Sequence, residues 1–380
     1  MTPPWGLYVH VPWCRIRCPY CAFHVDPDRG DLPAYRFVDR VLADVAALRV
    51  DYEGTPHTVY LGGGTPSRLP APALARLLDG LVAPETVEVT CEANPEDVDE
   101  AWLEAAVGAG VTRVSLGVQT LDPTDARHLG RAHTPAHAQR AAALVADAVP
   151  TWSADLMFAL PDQELADLER DLEALLELGP PHVSLYGLTL EEGTPFARAA
   201  AAGRLATPED ETWRAMYAHL VDRLGAAGLV RYEVSNFARP GHEAVHNAGY
   251  WALRPYLGVG PSAHGLTPDG RRATMVSDTA AWLAADRPPV TWEHPQGDEA
   301  AADALVAGLR GSAGVDLDLL ARTTGHRPRP EAVARLVAGG LLEVVDGRTR
   351  LAAEGFFVAD AVTGALVQAL APVAPARSTR

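Results

Sequence analysis

Residues 14–21 read Cys14-Arg15-Ile16-Arg17-Cys18-Pro19-Tyr20-Cys21 and follow a short apolar run at residues 6–11. This loop supplies three thiols, one fewer than a closed tetrahedral zinc or iron–sulfur site takes. Three thiolates on a [4Fe–4S] cluster leave one iron open to an outside molecule, so the spacing predicts a catalytic-type [4Fe–4S] site. A zinc knuckle or three unrelated thiols is the alternative. A zinc site would need a fourth ligand at short spacing. The nearest candidate, His24, follows Cys21 too closely to form a convincing second pair of zinc ligands.

The composition excludes several classes of function. The net charge of −17 argues against nucleic-acid binding, which needs a basic surface. All 32 basic residues are arginine, and the absence of lysine removes Schiff-base, pyridoxal and P-loop chemistry. Four cysteines, three of them in one loop, form no disulfide framework and predict a reducing, cytoplasmic compartment. No apolar run reaches membrane-spanning length, and the few residues before the first apolar run leave no room for a secretory signal.

The first two-thirds of the chain alternates β-rich runs with helical patterns, which is typical of βα units on a parallel sheet. Strands are predicted near 6–11, 57–61, 86–92, 112–119, 151–158 and 181–188, and helices near 32–50, 71–82, 98–109, 135–148 and 163–178. Apolar and polar residues alternate along the strands, so one face packs against helices and the other lines a lumen. A polar lumen predicts an open α/β barrel around a polar ligand, because closed barrels fill their interior with branched side chains.

Polar residues and a glycine run stand where these strands end. Glu92, Gln119 and Asp155 fall near strand ends on the polar face, which is where such folds place their chemistry. Gly62-Gly63-Gly64-Thr65-Pro66-Ser67 follows the second strand, and glycines there let the backbone approach a ligand closely. The run is neither a Walker A loop nor a GxGxxG motif.

The cysteine loop followed by this glycine run resembles the signature of the radical S-adenosylmethionine (SAM) superfamily. The resemblance implies a partial (β/α)6 barrel, a [4Fe–4S] cluster on Cys14, Cys18 and Cys21, and SAM on the open iron. The fourth cysteine, Cys91, is interpreted as a buried packing residue. The residues that the resemblance places at SAM or in its pocket are Tyr8, Tyr20, Gly63, Gly64, Thr65, Glu92, Gln119, Arg131 and Asp155.

Later segments resemble the HemN/HemW branch of that superfamily, over about residues 5–270. These segments are 113–119, 155–163, 184–196, 232–238 and 257–265, together with HNAGYW at 246–251, which matches the HNxxYW element of the branch's heme chaperones. Phe23 stands where the branch's oxidases carry a further cysteine, and the long N-terminal extension of those oxidases is missing. One departure from the chaperones is Ala22-Phe23-His24, where they usually carry an Asp-Phe-Asn type sequence.

The HNAGYW element predicts a contact with heme. Histidine is a common axial ligand of heme iron, and Tyr250 and Trp251 offer broad aromatic faces. His246 is therefore predicted to contact heme, with a satisfied structural histidine as the alternative. His264 and His10 are weaker candidates.

The pattern changes after about residue 270. Helices near 299–310, 315–323 and 329–339 precede two short runs joined by Asp346-Gly347, a hairpin signal. We therefore expect a radical SAM core with its branch extension at 1–270, a helical, winged-helix-like domain at 271–371 and a frayed tail at 372–380. Because no dense basic patch appears, an interaction or lid role is favoured over DNA binding.

Three functions remain open on the sequence. The resemblance favours a heme chaperone that passes heme to acceptor proteins, takes electrons from a reductant such as flavodoxin or ferredoxin, and meets membranes only through its acceptor. The alternatives are a radical SAM enzyme, such as an oxygen-independent coproporphyrinogen III oxidase, and a protein whose cluster is only structural.

Overall fold

A computed structural model describes residues 3–28 and 30–373, and its strands account for a single large sheet and three small ones. The strands are β1 (Gly6–Val11), β2 (Trp13–Cys14), β3 (Asp26–Pro27), β4 (Thr58–Gly63), β5 (Glu88–Ala93), β6 (Arg113–Gln119), β7 (Thr151–Phe158), β8 (His182–Gly187), β9 (Val230–Arg231), β10 (Asn236–Ala238), β11 (Tyr256–Val259), β12 (His264–Leu266), β13 (Arg272–Met275), β14 (Val290–Glu293), β15 (His326–Pro328), β16 (Leu342–Val345), β17 (Arg348–Leu351) and β18 (Leu370–Pro372).

Helices follow most of the long strands and then dominate the last quarter of the chain. They are α1 (Ala34–Leu48), α2 (Ala71–Leu81), α3 (Glu100–Gly108), α4 (Pro123–His128), α5 (Pro135–Ala148), α6 (Leu165–Glu177), α7 (Pro195–Ala201), α8 (Asp210–Ala226), α9 (Val245–Trp251), α10 (Thr279–Ala284), α11 (Asp298–Arg310), α12 (Leu317–Thr324), α13 (Pro330–Ala338), α14 (Ala353–Phe356) and α15 (Ala359–Gln368). Three short 3₁₀ turns lie at Arg49–Asp51, Pro66–Arg68 and Pro95–Asp97.

The large sheet has 12 strands in the order β14-β13-β12-β11-β1-β4-β5-β6-β7-β8-β10-β9. Strands β1, β4, β5, β6, β7 and β8 are parallel neighbours, and β11 adds a further parallel strand beside β1. The remaining strands pair antiparallel at the two edges. This is the predicted partial barrel, in which all six predicted core strands are present.

The alternation along the strands divides the sheet into a packed face and a lumen. Leu7, Val9 and Val11 of β1 are fully buried in one apolar core with Phe37 and Val41 of α1. Cys91 lies in the same apolar core, as its interpretation as a packing residue expects. Tyr8 and Glu92 face the opposite side, where they stay partly accessible. The carboxyl ends of the parallel strands therefore surround one polar opening, here called the mouth.

A second apolar core is built by the helices and hairpin after the large sheet. It contains Ala301, Leu305, Leu320, Leu342 and Leu366, and it is separate from the barrel core. The expected boundary at 270/271 falls inside the hairpin of β12 and β13, and β14 continues the barrel sheet to Glu293. The second core begins with α11.

The second unit has the predicted order of three helices and a hairpin. Strands β16 and β17 pair with Asp346 and Gly347 at the turn, both with positive φ (52° and 77°), as the Asp-Gly signal predicts. Pro372, assigned to the tail, instead pairs in β18 with β15, and 374–380 lie outside the described residues. Among the described residues no helix is long and apolar enough to cross a bilayer.

Candidate active site

The cysteine loop leaves β1 at the mouth and is anchored at both of its ends. Strand β2 carries Cys14 and pairs with β3, so the backbone N–H of Asp28 donates to the Cys14 carbonyl at 2.8 Å. The Arg68 guanidinium then joins Asp28 (Nη2–Oδ2 2.6 Å) to Asp97 (Nη1–Oδ1 3.1 Å) behind the loop. These ion pairs hold the loop ends without using the thiols.

Cys14, Cys18 and Cys21 are free, partly accessible thiols. Burial raises the pKa of the Cys14 thiol to about 11 and also raises that of Cys21. Thr65 donates a hydrogen bond to the Cys14 sulfur at 3.2 Å, which favours the thiolate. Three unpaired thiols in one loop fit a cluster held by three thiolates. Within 3–28 and 30–373, no group of three or more His, Cys, Asp or Glu side chains could hold a single metal ion.

The glycine run brings backbone against the lumen beside this loop. Gly63 has φ of 105°, and a Cβ there would lie 2.5 Å from the His10 ring. At Gly64 a Cβ would lie 2.8 Å from the carbonyl oxygens of Val11 and Trp13. Only glycine fits these two positions, so the chain can pass under the cysteine loop and present Thr65 to Cys14.

Glu92 is the central carboxylate of the lumen. Its Oε1 accepts from the Tyr60 hydroxyl at 2.7 Å, and its Oε2 accepts from the Gly63 backbone N–H at 3.2 Å. Burial raises its pKa to about 7, although the Tyr60 hydrogen bond opposes that rise, and Asp155 adds to it. Asp155 accepts from the Ser115 hydroxyl at 3.4 Å, and burial raises its pKa to about 6. The pair is suited to a cationic ligand, since a positive charge would stabilise both carboxylates.

Arg131 connects this lumen to the cysteine loop. Its Nη2 donates to Asn94 Oδ1 and to the Gly117 carbonyl, both at 2.7 Å, and its Nη1 lies 3.7 Å from the Cys18 sulfur. Gln119 ends β6 at a register shift with φ of 66°. A Cβ on Gly117 would lie 3.3 Å from the Gln119 amide nitrogen and from Arg131 Nη2. Strand irregularity therefore turns the Gln119 side chain toward the arginine.

The two tyrosines predicted to lie near SAM have different surroundings. The Tyr8 hydroxyl is 3.0 Å from His10 Nδ1, and its ring lies 6.1 Å from that of Tyr60 inside the lumen. Tyr20 lies on the cysteine loop, with its ring 6.3 Å from that of Phe196. The structure thus brings all the residues predicted for the cluster and SAM to one end of the barrel.

The HNAGYW element forms α9 at the opposite end. The Glu88 carboxylate accepts from the backbone N–H groups of Val245 (2.9 Å) and His246 (2.8 Å) and so caps the helix. The His246 ring bonds Thr58 Oγ1 through Nδ1 and the Tyr250 hydroxyl through Nε2, both at 2.7 Å. Thr58 and Glu88 are the first residues of β4 and β5. His246 therefore lies one strand length, about 16 Å, from the mouth.

This geometry fits the alternative of a satisfied structural histidine at His246, and the predicted contact with heme stays a prediction. The ring is 3% exposed, both nitrogens are engaged, and Tyr60 stacks on it at 5.1 Å. Burial lowers its pKa to about 3, so it stays neutral. The adjoining cavity, about 20 Å³, has room for about one water and none for a porphyrin. Arg310 of the second unit lies 5.2 Å over Trp251. HNAGYW thus closes the base of the barrel and joins it to the second unit.

His246→Ala is expected to lower the free energy of unfolding by about 2–4 kcal/mol, because it empties a packed site and leaves Thr58 and Tyr250 without partners. Denaturant unfolding monitored by circular dichroism measures the change. His246→Gln, which can keep one hydrogen bond, should lose less. Equal stability of His246→Ala and the wild type would contradict the structural role.

The fold and the site together define a radical SAM protein. Residues 8–175 match the family model described as the radical SAM superfamily. A solved structure of coproporphyrinogen III oxidase (HemN) from Escherichia coli superposes with a TM-score of 0.80, over 96% of this chain and 90% of that chain, at 18% identity, which establishes the common fold.

The relatives narrow the class further. The heme chaperone HemW of Mycobacterium tuberculosis is 37% identical over 96% of this chain and 95% of its own length. HemW of Escherichia coli is 39% identical over 71% of this chain and 72% of its own length. A mitochondrial relative in Danio rerio, radical S-adenosyl methionine domain-containing protein 1, is 35% identical over 82% of this chain and 73% of its own length. The chain belongs to the HemW family of radical SAM proteins.

The sequence alone did not indicate two residues of the site. Tyr60 and Arg68 gave no signal, since a tyrosine in a strand and an arginine in a turn are ordinary. Asn94 did give a signal, because the chain contains only three asparagines and all lie in motifs, which indicates that these positions need a carboxamide. Its amide nitrogen donates to Thr65 at 3.3 Å while its oxygen accepts from Arg131, so it links the two halves of the mouth.

Proposed function

We propose that this chain is a heme chaperone that holds a [4Fe–4S] cluster and SAM at the mouth of its barrel and passes heme to acceptor proteins. The observation that carries the proposal is the similarity to HemW over nearly the full length of both chains. The proposal extends to this chain what that relative is named for.

The residues at the mouth support the assignment of the cluster and SAM. Cys14, Cys18 and Cys21 would hold the cluster, which when bound supplies an electron and an open iron for SAM. Arg131 keeps a positive charge beside Cys18, which offsets the negative charge of bound thiolates. Glu92 and Asp155 offer carboxylates to the cationic groups of SAM, and the Gly63 backbone N–H already orients Glu92.

The partners follow from the same proposal. A reductant such as flavodoxin or ferredoxin would supply electrons at the mouth, and a heme-accepting protein would take the cargo. Any approach to a membrane would then come through the acceptor. The free thiols support a reducing, cytoplasmic compartment.

Oxygen-independent coproporphyrinogen III oxidase is the second candidate, favoured by the fold shared with HemN. An oxidase must exclude water from its reacting substrate. Phe23, where the oxidases carry a further cysteine, is instead 68% exposed at the edge of the mouth. An accessible edge suits the binding and release of a cargo better than it suits radical chemistry.

The reconstituted protein is expected to bind heme with a distinct Soret band and to form no protoporphyrinogen IX from coproporphyrinogen III. Anaerobic heme titration and a decarboxylation assay with SAM and reductant, run on one preparation, measure both. Decarboxylation at many turnovers would reject the chaperone in favour of the oxidase. If the protein neither binds heme nor decarboxylates coproporphyrinogen III, the remaining alternative is a protein whose cluster is only structural.

A further inference from the structure

The described histidines differ in whether a ring nitrogen is available to a ligand. His246 and His10 use both nitrogens within the protein and are 3% and 5% exposed. His264 is exposed, its Nδ1 lies 3.2 Å from the Thr274 hydroxyl, and its Nε2 has no hydrogen-bond partner among the described residues. A histidine fixed through one nitrogen and open at the other is the usual arrangement of a metal-ligating imidazole.

The sheet topology places His264 at the mouth. Strand β11 runs parallel to β1, and β12 returns antiparallel to β11. His264 is the first residue of β12 and lies beside Gly258, which pairs with Tyr8 of β1, so it lies level with Tyr8 on the mouth side of this extension. His294 follows the last residue of β14, which by the same alternation lies at the base of the barrel. The two exposed histidines therefore lie at opposite ends of one sheet extension.

The backbone leading to His264 is tightly constrained. Gly260 has φ of 99°, and a Cβ there would lie 2.4 Å from the His10 carbonyl oxygen. Ser262 has φ of 65°, a conformation that L residues rarely adopt. A Cβ on Gly258 would lie 1.7 Å from the His264 carbonyl oxygen. Such strain concentrates at ligand-binding positions, and here it sets the place of one exposed imidazole.

Apolar and cationic groups lie on the cysteine loop nearby. His264 is level with Tyr8, whose hydroxyl lies 3.0 Å from His10 Nδ1, and the His10 ring lies 6.3 Å from that of His24. Phe23 precedes His24 and is 68% exposed. Arg17 is exposed on the cysteine loop, between Cys14 and Cys18. Together these groups offer an axial ligand, an aromatic face and a cation for a carboxylate, which are the three things an iron porphyrin with acidic side chains requires.

We propose that His264 ligates the iron of heme at the mouth of the barrel, with Phe23 against the porphyrin and Arg17 near its carboxylates. This inference rests on the proposed heme chaperone function and moves the heme site from the HNAGYW element to the cluster end. Because the His264 ring is exposed and bonded only through Nδ1, binding iron through Nε2 would break no buried contact.

The test compares His264→Ala with two matched variants in the reconstituted full chain. His294→Ala removes an exposed histidine at the base of the same sheet extension, and His246→Gln alters the HNAGYW histidine. Each variant is titrated with heme, and the Soret band and electron paramagnetic resonance spectrum of the ferric complex are recorded. Cluster absorbance and far-ultraviolet circular dichroism check that the fold and cluster are retained.

His264→Ala is expected to weaken heme binding at least tenfold and shift the Soret band, with free imidazole restoring the wild-type spectrum. His294→Ala and His246→Gln should match the wild type. Wild-type affinity and spectrum in His264→Ala would overturn the assignment while the chaperone function stands. A wild-type chain that binds no heme would overturn the proposed function and this inference with it. Loss of binding in His246→Gln with retention in His264→Ala would return the site to the barrel base.

Discussion

Replacing Cys18 with alanine is expected to abolish the [4Fe–4S] cluster after anaerobic reconstitution with iron and sulfide. One loop supplies all three thiols and no protein ligand replaces a missing one. Replacing Cys14, Cys18 or Cys21 should therefore each cause nearly complete loss of the cluster. The cluster's visible absorbance and the iron and sulfide content per chain measure the result. The fold should survive, because these side chains lie in a loop whose ends are held by Arg68.

Cys91→Ala is the matched control, since it removes the fourth cysteine of the chain from the apolar core. It should retain full cluster absorbance and lower only the stability. A Cys18→Ala variant with full cluster occupancy would refute the ligand set. A Cys91→Ala variant without a cluster would mean that the buried thiol is a ligand.

Glu92→Gln is expected to weaken SAM binding by about 10- to 100-fold without loss of iron. Hydrogen bonds between charged groups contribute about 1.5–3 kcal/mol, and the glutamine keeps the shape but not the charge. Isothermal titration with the cluster-loaded protein measures the affinity. Unchanged affinity would place the SAM pocket elsewhere in the barrel.

The pH dependence of SAM binding gives a second measure on the same variant. Because burial raises the Glu92 pKa to about 7, the carboxyl is largely protonated at pH 6 and ionised at pH 8. SAM affinity should therefore rise across that interval in the wild type and change less in Glu92→Gln. The same raised pKa means that this group's contribution to folding stability is present below about pH 4.3 and is lost as the pH rises through 7.

The strands and helices could be predicted because their periodicities are local. Along β1, Leu7, Val9 and Val11 alternate with Tyr8 and His10, and this pattern sets both the strand and its buried face. The domain boundary could not be predicted so well. Strands β13 and β14 are short and half exposed, and their membership of the barrel sheet depends on long-range pairing that no local pattern records.

The site was predictable in so far as its residues belong to strand ends. Glu92, Gln119 and Asp155 meet at the mouth because parallel strands share one carboxyl edge. The structural role of His246 could not be predicted, for a physical reason. The sequence shows that a histidine stands close to aromatic residues. Only tertiary structure shows that Thr58 and Tyr250 bond both ring nitrogens of His246.

The closed base of the barrel has a consequence for traffic through the molecule. With α9 fixed beneath β1, β4 and β5 by Glu88 and Thr58, the barrel is a cup rather than a tube. Whatever enters the cup must leave over the same rim. On the proposed function, SAM, the electron donor, heme and the heme acceptor then all use one opening, so their binding there is mutually exclusive. An electron carrier bound at this opening would block the protein that accepts the heme. Which of the two can bind would then depend only on whether the other is already bound.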